Sequence, residues 1–61
     1  MDIKESQERI DERTPNGGDY AIVYYMDKDG NPCKSEQAEK CEIVEYKNDG
    51  TFVMSTLGYC R

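Results

Sequence analysis

The sequence predicts a small α+β fold: an antiparallel β-meander of three strands, or four if Cys33-Lys34 pairs at its edge, with an N-terminal helix on one face. Three observations predict it. Bulky β-branched and aromatic residues concentrate after position 19, in runs of strand length separated by turn chemistry. Residues 1–18 are polar and rich in helix formers. A breaker, Thr14-Pro15-Asn16-Gly17-Gly18, parts the two regions, because Pro forbids helix continuation and Asn-Gly-Gly favours a turn. The expected division is therefore a polar helix or arm with its linker over 1–18, and a sheet domain over 19–61.

The expected helix runs from about Ile3 to Arg13. Glu5 and Arg9 form a favourable i,i+4 pair, and Ile3 and Ile10 share a face. Glu8 with Glu12 and Arg9 with Arg13 are like-charge pairs at the same spacing. An isolated helix of this length is marginal in water, so it needs the sheet or a partner to dock on.

Tyr20 to Met26 reads as the middle strand, apolar on both faces: Tyr20, Ile22, Tyr24 and Met26 on one, Ala21, Val23 and Tyr25 on the other. Asp27-Lys28-Asp29-Gly30-Asn31-Pro32 ends it with dense turn chemistry. Ser35 is a candidate N-cap for one or two helical turns through Lys40. Cys41 to Lys47 reads as a strand entering a hairpin, with Gly50 left-handed in a three-residue connection. That loop sets Tyr46 opposite Phe52 and Val44 opposite Met54 on one apolar face. A continuous helix over 35–50 is the competing assignment.

Size and composition bound the function. In 61 residues, Leu, Ile, Val and Phe number nine, below the ~20% at which disorder becomes a serious reading when net charge is high. Five Tyr and three Met partly replace the missing mass, and the net charge is only −5. A core this small rarely supplies more than ~3–5 kcal/mol without a staple or a second copy. Thirteen carboxylates against eight Lys and Arg leave no basic footprint for a phosphate backbone. No apolar run approaches a membrane span, and the charged first thirteen residues offer no signal-peptide core, so a cytoplasmic protein with no membrane partner is expected.

No catalytic set emerges. There is no His, no nucleophile beside a base and no glycine-rich phosphate loop. Cys33, Cys41 and Cys60 form no Cys-x-x-Cys pair. In a reducing compartment they read as small apolar filler, plus an exposed thiol at Cys60, rather than as zinc ligands or a disulfide framework. Asp27-x-Asp29-Gly30-Asn31 echoes a calcium loop, but its Gly comes too early and its flanks are strands. Neither metal nor cofactor is expected.

The leading functional expectation is a non-enzymatic protein-binding or regulatory module acting by protein–protein contact, with self-association through the sheet as one form. Val23 and Tyr25 are its candidate interface, on the face the helix leaves bare, since Tyr is enriched at interfaces. The alternative is an acidic mimic of nucleic acid in which Glu36, Glu39, Glu42 and Glu45 line one surface. A third reading is a metal-stapled mini-domain.

Overall fold

A computed structural model describes residues 6–59. It holds four strands, β1 (Gln7–Ile10), β2 (Tyr20–Met26), β3 (Lys40–Tyr46) and β4 (Phe52–Tyr59), in one antiparallel sheet of order β1-β2-β3-β4. The described residues hold no α-helix, and a 3-10 turn spans Ser35–Gln37. Ser35 opens that turn instead of capping it. Lys34 holds the cap position, with no side-chain cap bond.

The expected α+β class is therefore corrected to an all-β sheet, and the N-terminal helix to strand β1. The first residues assigned to that helix, with Ile3 and Glu5, lie outside the described residues. Over 6–13 the reason is physical. A helix there would stack Glu8 on Glu12 and Arg9 on Arg13, and would present Ile10 alone to the sheet. In a strand the same residues alternate faces. Arg9 then lies 4.1 Å over the Tyr20 ring, and Glu8 accepts a 3.0 Å hydrogen bond from the Tyr25 hydroxyl. Pairing with β1 also makes β2 an inner strand, so its backbone is satisfied on both sides.

Strands β2, β3 and β4 fall where the β-branched and aromatic runs placed them. Asp27 closes the turn after β2: its carboxylate accepts from the Asp29 and Asn31 amides at 2.9 and 3.0 Å, and Gly30 takes φ 86°. The chain then doubles back, bridging Pro32 to Met26 and donating the Cys33 amide to the Tyr25 carbonyl. That is the brief edge pairing anticipated for Cys33.

The last hairpin closes as expected at Lys47 and Thr51, with Gly50 at φ 87° and Tyr46 opposite Phe52. One step further the register departs from expectation. A bulge at Glu45/Tyr46 absorbs a residue, so Met54 faces Glu45 and Val44 faces Ser55. The alternation in Phe52–Leu57 is too weak to hold the simpler register, because Ser55 and Thr56 give neither face an apolar anchor.

Pairing assigns the two faces. Tyr20, Ile22, Tyr24, Met26, Val44, Tyr46, Phe52, Leu57 and Tyr59 share the front with Arg9, Lys40 and Glu42; Ile10, Ala21, Val23, Tyr25, Cys41, Ile43, Glu45, Met54 and Gly58 share the back. The buried apolar set is only Ala21, Val23, Cys33, Ala38 and Val44.

The Thr14–Gly18 loop folds over the back. The Thr14 amide donates to the Gly18 carbonyl at 3.0 Å, and the Gly18 amide donates to Thr14 Oγ1 at 2.7 Å. A Cβ at Gly18 would stand 2.6 Å from that hydroxyl and 3.0 Å from the Tyr46 carbonyl. Gly18→Ala is therefore expected to cost about 1–3 kcal/mol by overpacking, read as a lower urea midpoint; an unchanged midpoint would show that the loop does not dock as described.

Candidate interaction surface

Two features stand out on this sheet: a groove on the back, and the outer strand β4 with the front-face aromatics beside it.

The groove, about 350 Å³, runs between the 12–16 loop and the back of the sheet, with Ile10, Ala21 and Ile43 on its floor and Arg13 at its rim. Glu45 closes one end and is 3% exposed. Its carboxylate accepts from the Asn16 amide at 3.2 Å and from Asn16 Nδ2 at 2.7 Å. Hydrogen bonds from the Thr14 hydroxyl first, and then from Asn16, hold the Glu45 carboxyl below its ordinary value, against the opposing effect of burial. Thr14 thus donates to Glu45 while accepting from Gly18. Glu45 is the tether of the loop, and no buried side-chain polar atom among the described residues is left without a partner. The buried carboxylate of the groove is thus committed to the loop.

The front is different. Tyr20 and Tyr46 stack at 5.4 Å with 22° between their planes, and Arg9 caps the Tyr20 ring. Burial and then a hydrogen bond with Tyr24 push the Tyr46 hydroxyl above its ordinary pKa. These rings are half-buried by one another. The exposed mass lies further out. Six large apolar side chains stand exposed among the described residues, and four of them, Phe52, Met54, Leu57 and Tyr59, belong to β4. Leu57 is 66% exposed and Tyr59 79%. β4 is also an edge strand, eight residues long and without a charged side chain.

The residues singled out from sequence fall elsewhere. Val23 is 6% exposed and sits in the small core; Tyr25 is half-buried and bonded to Glu8. Both lie on the back, opposite the aromatic row. The four glutamates are not brought together: Glu36 is in the 3-10 turn, Glu39 in the strand approach, Glu42 on the front and Glu45 buried at the back. A spacing of three within one strand puts Glu42 and Glu45 on opposite faces. The sequence did not single out β4, although its lack of charge is visible there. What it lacked was the knowledge that β4 lies at the edge.

The cysteines divide: Cys33 fits the expected buried filler and Cys41 does not. Cys33 is a buried free thiol, its pKa raised by burial first and then by Asp27 and Glu39. Cys41 is disulfide-bonded rather than apolar filler. The expectation for Cys60 falls outside the described residues. Among the described residues no cluster of His, Cys, Asp and Glu is arranged to hold a metal ion. No helix there is long and apolar enough to cross a membrane.

Comparison of the chain with protein-family models, curated proteins and solved structures finds no match.

Two outcomes follow from the site chemistry. Because the folded Glu45 carboxyl titrates below its ordinary value of 4.5, its stabilisation is complete above that pH and is lost as pH falls through the folded pKa. Melting temperature should drop on acidification, and Glu45→Gln should flatten that dependence. Asp49, also held low by Thr51, is the control: Asp49→Asn should leave the Glu45 component in place. In thiol labelling, Cys33 should react only on unfolding and Cys41 only on reduction; rapid native labelling of Cys33 would contradict its burial.

Proposed function

We propose that this chain is a non-enzymatic protein-binding module whose contact element is β4, with the front-face aromatics beside it. One observation carries the reading: most of the exposed apolar mass stands on an uncharged edge strand. Native edges are ordinarily blunted by Lys, Pro, short length or inward charge, because an open row of N–H and C=O groups templates pairing. β4 has none of these over Phe52–Tyr59. An extended partner segment adding to such an edge gains main-chain hydrogen bonds, and its side chains meet Phe52, Leu57 and Tyr59.

The rest of the chain supports this. The half-buried tyrosines stiffen the sheet beneath the contact strand, and large, stiff aromatic side chains are what interfaces favour. The acidic balance is carried away from β4, on the loops and the other strands. The disulfide at Cys41 suits an oxidising compartment better than the cytoplasm expected from the N-terminal composition; a contact through β4 serves in either.

The mimic of nucleic acid is not favoured, since its four carboxylates have no common surface. The experiment is crosslinking in native lysate with the full chain and with a Phe52→Ser, Leu57→Ser double variant. Partner crosslinks are expected with the former and lost with the latter, both remaining folded by circular dichroism. Equal crosslinking would overturn β4 as the contact element.

A further inference from the structure

We infer that the partner of β4 is β4 of a second copy, the two pairing antiparallel across a twofold axis into one continuous eight-stranded sheet. This rests on the reading above and names its occupant.

Three observations argue for self-pairing. First, the edges differ. β1 is four residues long and carries Glu8 and Arg9, both already engaged with tyrosines of β2. Only β4 is long and uncharged, so each chain has one adhesive edge. Pairing that edge with itself closes at two copies and leaves the charged β1 edges outward. Second, a strand without charge can lie against its own copy with no like charges opposed, even though each chain carries net −5.

Third, nothing among the described residues accounts for Gly58. It is not among the glycines at positive φ, and a Cβ placed there would meet nothing within 4 Å. Gly weakens a strand interior, and where it stands in one it often marks close approach by another group. An antiparallel pair with Thr56 on the axis supplies that group. Met54 of each copy faces Gly58 of the other, Leu57 faces Ser55, and Thr56 faces Thr56. Large side chains then lie beside small ones on both faces of the new sheet. The exposed Met54 and Leu57 are covered by the same step that pairs the free backbone row.

Sedimentation and light scattering of the full, oxidised chain over a range of micromolar concentrations test this. The expected species has twice the chain mass of 7.0 kDa and runs as one chain on a non-reducing denaturing gel. Thr56→Lys should yield a monomer. Gly58→Val should weaken self-association by roughly tenfold or more through overpacking at the Met54 contact, while Gln7→Lys on the opposite edge should leave the dimer intact. Should Thr56→Lys fail to fold, amide exchange of the unaltered chain decides: protection over 52–59 should rise with concentration. A monomer throughout, a dimer that survives Thr56→Lys, or open-ended assembly would each overturn self-pairing. If the chain is monomeric yet Phe52→Ser, Leu57→Ser still abolishes lysate crosslinks, self-pairing fails and the β4 contact reading stands. If that double variant changes neither assembly nor crosslinks, both fail.

Discussion

A single antiparallel sheet has two faces and two edges, and this chain has little mass to cover any of them. Its five buried apolar residues, three of them Ala or Cys, cannot supply the transfer free energy on which larger domains rest. Everything else in the structure is arranged around that shortage. Tyrosines bury one another side by side on the front. A polar loop is drawn over part of the back. A disulfide at Cys41 adds a covalent restraint to a fold below the size at which hydrophobic burial alone usually suffices.

The loop shows how a polar tether substitutes for apolar packing. Glu45 is an expensive residue to bury, and it is tolerated because Asn16 and Thr14 satisfy its oxygens. Gly18 lets the loop come close enough for this to happen, and the Asp19 amide fastens its exit to the Tyr46 carbonyl at 2.7 Å. The result is a bond between the segment after β1 and the far end of β3, which locks the β1 arm onto the sheet. Residues 7–18 are thus part of the fold, although β1 itself is exposed.

The same shortage underlies the proposed function. A protein that could bury its apolar side chains internally would have no reason to leave Phe52, Leu57 and Tyr59 exposed on an uncharged edge. Here the outer strand is both the least protected part of the sheet and the part best suited to pairing. Under the proposed function stability and recognition share one surface, and a partner at β4 would complete the fold as well as bind it.

Composition and local chemistry were sufficient to locate β2, β3 and β4 and the Asp27–Gly30 and Lys47–Gly50 turns, because strand propensity and turn residues act over a few neighbours. Three things required the assembled chain. Residues 7–10 became a strand because β2 offered them a hydrogen-bonding edge and two tyrosines to engage, which helix propensity does not register. The bulge at Glu45/Tyr46 moved Met54 to the back face, a choice that weakly alternating residues leave open. Which strand lies at the edge, and so which apolar residues stay exposed, depends on strand order, a property of the whole sheet that no single segment encodes.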